Sequence, residues 1–342
     1  MIASRQSALA RVQAEAVGRW LGKRHGVEVR HVWITSDGDR VTDRPLSAVG
    51  GKGLFTKAVD DALLKREADV AIHSLKDVPT TMTPGLRLAA TPRRGSSADV
   101  LVTKAALLGV ETPSELPEGS VVGTSSPRRA AQLRALNPKL RIALLRGNVE
   151  TRLSAVRGPD APLDATLLAA AGLERLNITD HAGRVQGVDA VMPAAAQGAL
   201  ALVCRGDDHD SITRCLPLNH AETSTAVTAE RQLVQHLGAD CHSPIAALCE
   251  QVDPSETVAK RNSDSHWFRL RAKVVSIDGT RVASFDEKIK TRDLRRLVRT
   301  AAEALKEQGA LDILRDAKKA DLFDAATETS AEHAVKPSLP RV

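Results

Sequence analysis

Short apolar runs alternate with helix-forming segments through the first two hundred residues, and this alternation constrains the fold more than any other feature. Runs of five to eight residues rich in Val, Ile, Leu and Ala indicate buried strands. The predicted strands are VEVRHVWI (27–34), DVAIH (69–73), LRLAA (86–90), DVLVT (99–103), SVVGT (120–124), LRIALL (140–145), DATLLA (164–169) and GALALVC (198–204). Predicted helices lie near 55–66, from Pro127, after Asn148 and through AGLERL. This order is typical of α/β proteins.

The 342 residues divide into three predicted domains and a tail. Domains commonly hold about 100 to 150 residues, so two or three cores are expected. A hairpin around Asp278-Gly279 and a helix near 291–308 indicate a separate third unit. The polar, Ala-rich C-terminal segment is expected to be disordered. The predicted divisions are 1–92 plus about 196–214 for domain 1, 98–192 for domain 2, 218–315 for domain 3 and 318–342 for the tail.

Composition excludes several classes of function. Lys and Arg number 48 against 42 Asp and Glu, and the net charge of +6 favours an anionic partner. Aromatic residues are 2% of the chain, which argues against a nucleic-acid binder that stacks bases. The four cysteines show no metal-ligand spacing, so no metal site is predicted. The chain shows no apolar signal core and no run of about 20 apolar residues, so we expect a cytoplasmic protein that does not contact membranes.

The stretch DVAIHSLKDVPT, from Asp69 to Thr80, places Lys76 and Asp77 directly after a buried strand. Adjacent charges are most often a surface ion pair of little energetic value. A carboxylate at a strand end among arginines can instead stabilise a developing cation and pass protons, which is worth about 10² to 10³ in rate. Its position favours this second interpretation for Asp77. His73, in the same stretch, is more often structural, as is His220.

Two arginines stand at the start of a predicted helix in GTSSPRRAAQL (123–133). Ser126 is a natural N-cap and Pro127 a natural first helical residue, so Arg128 and Arg129 occupy the first turn. Cations there oppose the helix dipole by about 0.3 to 1 kcal/mol each. A bound anion is the simplest explanation, and two solvated surface arginines are the alternative.

Further arginines follow other predicted strands. Arg146 and Arg152 lie in LRGNVETRL, and Arg175 lies in AGLERL. Ligands of open α/β sheets bind outside the carboxyl ends of the strands, where these residues should meet. Because a guanidinium group binds a carboxylate in a bidentate fork, the set would suit a substrate with several acidic groups. Any one of them could be a plain surface charge.

Two remaining segments are open to more than one interpretation. GGKGLFTK, with Lys52, lacks the spacing of a nucleotide-binding P-loop, and it can form a lid, an anion-binding loop or a plain turn. Cys241, in GADCHSPI, is either a small buried hydrophobic residue or an exposed nucleophile. Asp240 beside it would raise the pKa of its thiol, and only His242 could help to lower it.

The chain resembles the porphobilinogen deaminase family, also called hydroxymethylbilane synthase. Nine stretches carry the resemblance in the family's order and span residues 4–248, about seven-tenths of the chain: SRQSALA, GGKGLFTK, ADVAIHSLKDVPT, GTSSPRRAAQL, LRGNVETRL, LAAAGLERL, PAAAQGALAL, TAERQL and CHSPIAAL. Ala239 departs from the family, which often has a second glycine there. The motif SRQS begins at residue 4, which implies either an upstream start or an abbreviated edge strand.

The resemblance implies two domains like a periplasmic-binding-protein pair with a cleft between them, and a small third α/β domain. It implies that four porphobilinogen molecules lose ammonia and join into hydroxymethylbilane, in a monomeric transferase of tetrapyrrole biosynthesis. Cys241 matches the thioether anchor of a dipyrromethane cofactor, Asp77 the catalytic carboxylate and Phe55 a cover over the site. The matched cofactor- and substrate-binding positions are Arg5, Ser7, Lys52, Ser74, Lys76, Ser125, Ser126, Arg128, Arg129, Arg146, Arg152 and Arg175.

Two rival functions remain at this stage. A solute-binding protein for a polycarboxylate would also suit a two-lobed fold and an arginine cluster, but it usually needs export and has no use for Cys241. A basic nucleic-acid-binding protein is disfavoured by the lack of aromatic residues and would show a steep salt dependence of its affinity.

Overall fold

A computed structural model describes residues 1–36, 38, 53–158, 160–180, 183–240, 242–252, 267–320 and 322–323. They form two five-stranded sheets and one three-stranded sheet, so the chain has the predicted α/β architecture. The described strands are β1 (Ile2–Arg5), β2 (His31–Ile34), β3 (Val70–Ser74), β4 (Leu86–Ala90), β5 (Asp99–Thr103), β6 (Val121–Gly123), β7 (Arg141–Ala143), β8 (Ala165–Ala169), β9 (Arg184–Val185), β10 (Leu200–Arg205), β11 (Ile245–Val252), β12 (Trp267–Val275) and β13 (Val282–Lys290). The described α-helices are α1 (Ala8–His25), α2 (Lys57–Leu64), α3 (Pro127–Leu136), α4 (Val149–Ser154), α5 (Ala170–Arg175), α6 (His209–Cys215), α7 (Ala221–His236), α8 (Leu294–Glu307) and α9 (Ala310–Ala317).

The first sheet has the strand order β2-β1-β3-β10-β4. Strands β1, β2 and β3 run parallel, and β10 runs antiparallel between β3 and β4. Val70 and Ile72 of β3 face a core that includes helix α1, whereas Ala71 faces the core on the α2 side. Burial on both faces explains why the strand is apolar throughout rather than alternating. Strand β1 lies between β2 and β3. It is therefore not the abbreviated edge strand that was one of the two explanations for the early position of the SRQS motif.

The second sheet has the order β7-β6-β8-β5-β9. Strand β6 runs parallel to β7 and β8, and β5 runs antiparallel to β8 with Asp99 opposite Ala169. Strand β10 of the first sheet likewise begins with Leu200 opposite Ser74, the last residue of β3. Each antiparallel strand therefore begins at the edge where parallel strands end. Chain segments that enter β5 and β10 are consequently placed at the edge that binds ligands in α/β sheets.

A three-stranded antiparallel sheet, β11-β12-β13, forms the third unit. Its core includes Leu233 of α7, Leu270 of β12 and Leu305 of α8. The alternating burial along β12 matches a sheet with one face on the core. Helix α9 adds Ile313 and Leu314 to this core. Of the predicted tail, Leu322 and Phe323 pack against the core of the second sheet, and residue 321 and residues 324–342 lie outside the described residues.

Two crossover segments, residues 91–98 and 193–199, join the first and second sheets. Arg94 in the first crossover donates to Glu230 of α7 at 2.7 Å between Nη1 and Oε1. The other oxygen of Glu230 accepts the backbone N–H of Ala196 in the second crossover at 2.5 Å. Ala196 has a φ of 61°, which a non-glycine residue adopts only when its surroundings hold it there. The fully buried Glu230 thus ties both crossovers to the third unit.

The crossovers approach each other closely at two glycines. The backbone N–H of Gly95 donates to the carbonyl oxygen of Gly198 at 3.1 Å. Gly198 has a φ of +85°, and a Cβ added to it would lie 2.5 Å from the carbonyl oxygen of Ser96. A side chain at this position would therefore combine left-handed backbone strain with a backbone clash.

We expect Gly198→Ala to lower the free energy of unfolding by at least about 2 kcal/mol, because both penalties act together. Chemical denaturation of the variant and the wild type measures the difference. Gly187→Ala is the matched control, since Gly187 is exposed and a Cβ added to it meets nothing within 4 Å. Equal stability of the two variants would contradict the close approach.

Candidate active site

Asp77 lies in a single 3₁₀ turn, Leu75–Asp77, that begins where β3 ends. Leu75 is fully buried, and its backbone N–H donates to the carbonyl oxygen of Ala199 at 2.9 Å. The backbone N–H of Val78 closes the turn on the carbonyl oxygen of Leu75 at 3.2 Å. Burying the apolar Leu75 therefore fixes the turn and leaves its two charged residues half-buried at the edge of the sheet.

Lys76, the first charged residue of this turn, contacts the second crossover. Its Nζ donates to Oε1 of Gln197 at 3.1 Å. Burial lowers the pKa of Lys76 to about 8, and Asp77 opposes the shift while Arg129 adds to it. Since burial penalises the charged form, Lys76 is a cation that a bound anion would stabilise.

The buried carboxylate of Asp99, at the start of β5, holds two predicted binding residues. Oδ2 of Asp99 accepts from Nη2 of Arg128 at 2.9 Å, and Oδ1 accepts from Nη2 of Arg129 at 2.6 Å. The remaining contacts of the pair include backbone carbonyls, since Arg128 donates to Met192 and Arg129 donates to Leu167. These arginines are buried, so they are not the solvated surface charges of the alternative interpretation.

Electrostatics keeps the Asp99 carboxyl ionised. Burial works to raise the pKa of Asp99, but the Arg129 and Arg128 guanidinium groups hold it well below its usual range. Asp99 is not among the site residues predicted from the sequence. The available signal was an aspartate at the first position of an otherwise apolar strand, because such a charge is seldom buried without partners.

Gln197, in the second crossover, links the Asp77 turn to Asp99. Its Nε2 donates to Oδ1 of Asp99 at 2.9 Å and to the carbonyl oxygen of Ser97 at 2.8 Å, while its Oε1 accepts from Lys76. The side chain is fully buried and satisfied at both ends. One amide thus fixes the relative placement of the lysine and the carboxylate.

Arginines from separate segments converge near Asp77. Burial, with the charges of Arg129 and Arg146, lowers the pKa of Arg152 to about 10, while Asp77 acts in the opposite direction. Arg152 also donates from Nε to the carbonyl oxygen of Gly147 at 3.0 Å. These charge interactions connect the turn after β3, the start of α3, and the segment from Arg146 to Arg152.

Arg5 and Phe55 form a contact at the end of β1. The guanidinium carbon of Arg5 lies 4.5 Å from the centre of the Phe55 ring, within the range of a cation–π interaction. A Cβ added to Gly38 would lie 2.3 Å from the same ring, so the backbone there passes directly against it. Arg146 reaches the same segment, donating from Nη2 to the carbonyl oxygen of Gly38 at 3.2 Å.

The predicted serines occupy element ends. Ser7 is the N-cap residue of α1, Ser74 is the last residue of β3, and Ser125 lies between β6 and α3. Ser126 caps α3, where its Oγ accepts the backbone N–H of Arg129 at 3.4 Å. The N-cap prediction for Ser126 is confirmed.

Arg175 is placed differently from the other arginines. It donates from Nη2 to the carbonyl oxygen of Gly198 at 2.5 Å, and this contact sets it against the second crossover. Burial lowers the pKa of Arg175, and Glu174 opposes the shift. The described contact therefore connects α5 to the crossover and does not by itself bring Arg175 to Asp77.

Two predicted site residues, Lys52 and Cys241, lie outside the described residues. The residues around position 241 are held by Asp240, whose Oδ1 accepts the backbone N–H of His242 and the hydroxyl of Ser243, both at 3.0 Å. Across the described ranges, His, Cys, Asp and Glu form no group of three or more that could hold a metal ion.

The remaining predicted histidines have structural surroundings. His73 is buried with its Nε2 3.2 Å from Oδ1 of Asp60 on α2. His220 is the N-cap residue of α7, where its Nδ1 accepts from the backbone N–H of Thr223 at 3.3 Å. Neither contact involves Asp77.

The family models and the sequence relatives that match this chain carry the same family name. The model described as porphobilinogen deaminase, dipyromethane cofactor binding domain, matches residues 1–213, and the porphobilinogen deaminase C-terminal domain matches residues 224–307. A protein of Sphingopyxis alaskensis named porphobilinogen deaminase is 47% identical over 282 residues, which cover 81% of this chain and 84% of that protein. A second, from Acidithiobacillus ferrooxidans, is 41% identical over 320 residues, which cover 93% and 98% of the two chains. An ABC transporter periplasmic substrate-binding protein from Coxiella burnetii aligns with a TM-score of 0.40 at 11% identity, covering 67% of this chain and 95% of that structure.

Proposed function

The chain belongs to the porphobilinogen deaminase family, and from this premise we propose that Asp77 is its catalytic carboxylate and Cys241 its cofactor anchor. Members of the family are hydroxymethylbilane synthases, transferases that join four porphobilinogen molecules head to tail with loss of ammonia. The chain has the family's dipyrromethane cofactor-binding domain. A polycarboxylate solute-binding function is therefore not favoured.

The observation that carries the residue assignment is the gathering of cations around Asp77. Lys76 is adjacent to it, and Arg152 lies within electrostatic range of Asp77, Arg129 and Arg146. Each porphobilinogen ring brings an acetate and a propionate, so every condensation adds two negative charges to the bound chain. Half-buried cations such as Lys76 and Arg152 gain from carboxylate ligands, because an anion offsets their desolvation. The described residues thus fit a dipyrromethane group with four carboxylates.

Asp77 would act on the charge that develops when ammonia leaves. Breaking the C–N bond of the aminomethyl group leaves a cationic azafulvene on the substrate, and a carboxylate in a partly buried site lowers the energy of that cation. A carbon–carbon bond then forms to the free α carbon of the neighbouring pyrrole, which loses its proton. Asp77 is placed to hold pyrrole N–H groups and to help move that proton.

The matched binding positions would divide into two roles. In this proposal the carboxylates would bind Lys76, Arg152, Arg146 and Arg5. Arg152 interacts electrostatically with Arg146, and Arg5 lies against the Phe55 ring. The remaining residues on the list are Ser7, Lys52, Ser74, Ser125, Ser126, Arg128, Arg129 and Arg175. Arg128 and Arg129 are anchored on Asp99, so their contribution is a fixed pair of donors rather than a mobile clamp. Phe55 would cover this side of the site.

Cys241 would hold the dipyrromethane cofactor through a thioether bond. When bound, that group supplies a pyrrole α carbon that accepts the first substrate unit. The match of CHSPIAAL to the family's motif supports this assignment. We further propose that the protein acts as a cytoplasmic monomer, as the resemblance implies.

We expect the denatured, purified protein to be heavier than its sequence by the mass of two pyrrole units, measured by intact-mass spectrometry. Cys241→Ser should have the mass of the bare chain, since the hydroxyl cannot form the thioether. Cys249→Ser is the control, because Cys249 is buried in β11 and should leave the added mass in place. Active wild-type protein with the bare mass would refute the anchor.

Asp77→Asn should keep the fold and the added mass but lose at least about 10² in turnover of porphobilinogen. The amide keeps the shape of the side chain and removes the negative charge. Steady-state rates, corrected for the loaded fraction, measure the loss. Near-normal turnover by the loaded variant would show that Asp77 does not have the central role.

A further inference from the structure

Arg231, on helix α7 of the third unit, contacts the backbone directly after Asp77. Its Nη1 donates to the carbonyl oxygen of Val78 at 2.8 Å and lies 3.4 Å from that of Leu75. Its Nη2 donates to the carbonyl oxygen of Pro79 at 2.6 Å and lies 3.5 Å from that of Thr80. One guanidinium group therefore reaches carbonyl oxygens on both sides of Asp77 in the chain.

The geometry of these contacts matches the shape of an arginine side chain. A planar guanidinium presents several N–H donors in a fixed fork, so it can hold two or more carbonyl oxygens in one arrangement. A lysine ammonium is a point charge on a flexible stem and would fix fewer of them. The guanidinium group of Arg231 binds backbone carbonyl oxygens and not a side chain. It therefore restricts the backbone conformation of the segment that carries Asp77.

Arg231 is held in this position at a cost. Burial lowers the pKa of Arg231 to about 10, and among the described residues no carboxylate lies in salt-bridge range of it. Carbonyl dipoles are therefore the partners that compensate its charge in the described contacts. A helix that needed only to pack against the first unit could do so with an apolar side chain, because it costs free energy to remove a cation partly from water without a carboxylate partner.

Glu230, the residue before Arg231 on α7, also binds segments next to the proposed site. Glu230 binds both crossovers, and Arg231 binds the turn after β3, so two successive residues of one helix fix the segments on which Asp77 and Gln197 are carried. The same helix leads to the loop that contains position 241. The third unit therefore contacts the backbone of the catalytic turn directly, in addition to carrying the predicted anchor.

We propose that Arg231 is a positioning residue that sets the orientation of the Asp77 carboxylate from the third unit. The inference rests on the proposed role of Asp77. Arg231 does not touch the reacting atoms in this account; it acts through the turn Leu75–Asp77. A displacement of about 1 Å in a catalytic group can cost up to about 10² in rate, so loss of the fork should be measurable in turnover.

A double-mutant cycle on the cofactor-loaded protein tests the proposal. We expect Arg231→Met to lower kcat by about 10- to 100-fold with little change in KM. In the Asp77→Asn background the same substitution should lower kcat by less than about threefold, because an uncharged group has little left to lose from displacement. Arg231→Lys should fall between wild type and Arg231→Met.

Controls separate positioning from loss of structure. Arg134→Met removes another carbonyl contact of the third unit, from Nη1 of Arg134 to Ile277 at 3.1 Å, and should leave kcat unchanged. Intact mass gives the loaded fraction of each variant, and thermal unfolding shows whether it is folded. If Arg231→Met does not fold, the cycle is run with Arg231→Lys, for which the same non-additivity is expected.

The outcomes distinguish failure of the positioning role of Arg231 from failure of the proposed function. Wild-type protein without turnover, or full activity of Asp77→Asn, would overturn the proposed function or the role of Asp77. The positioning role alone would be overturned by a different set of results. In that set the wild type is active, Asp77→Asn is impaired, and the Arg231 substitution lowers kcat by the same factor in both backgrounds. Unchanged kcat in the folded Arg231→Met variant would also overturn it.

Discussion

The Asp99 carboxylate is the interaction on which the site depends. It lies fully buried at the start of β5 and binds two adjacent arginines, while Gln197 connects it to Lys76. Without this charge, Arg128 and Arg129 would face each other and the nearby Lys76 in a region of low polarity, where like charges repel strongly. The proposed binding of several carboxylates needs an excess of cations, and one internal anion makes that excess compatible with a folded protein.

The same region carries the connections between the three sheets. Both crossovers lie at the edge where the parallel strands end, because β5 and β10 enter their sheets in the antiparallel direction at that edge. Glu230 and Arg231 reach this edge from the third unit. Structural connections and predicted chemical groups therefore share one set of backbone segments.

Local patterns predicted the elements that depend on local sequence. Strands β4 and β5 have the predicted bounds, and α3 begins at Pro127 behind its Ser126 cap. Strand β2 begins at His31 instead of residue 27. Strands β9 and β11 and helix α9 were not predicted, since β9 has two residues and the others lack the clear alternation of β12 and β13.

Contacts between residues far apart in the chain could not be predicted from local sequence patterns. The first-turn cations Arg128 and Arg129 led to the prediction of a bound anion, whereas the partner in the structure is the protein's own Asp99 carboxylate. The helix dipole does not distinguish a ligand from a protein group. Asp99 lies about thirty residues away in the chain, and only the sheet register brings it there. Arg231 carried no local signal either, because its partners are backbone carbonyls that any sequence supplies.

The most direct test of this account is the free energy of unfolding of Asp99→Asn at neutral pH, measured by chemical denaturation. Asparagine keeps the shape but leaves two buried guanidinium groups uncompensated, so we predict a loss of about 3 to 5 kcal/mol. Asp286→Asn, which breaks a partly exposed pair with Arg269, should cost no more than about 1 kcal/mol. A loss for Asp99→Asn as small as that of the control would contradict the claim that this carboxylate holds the cationic site together.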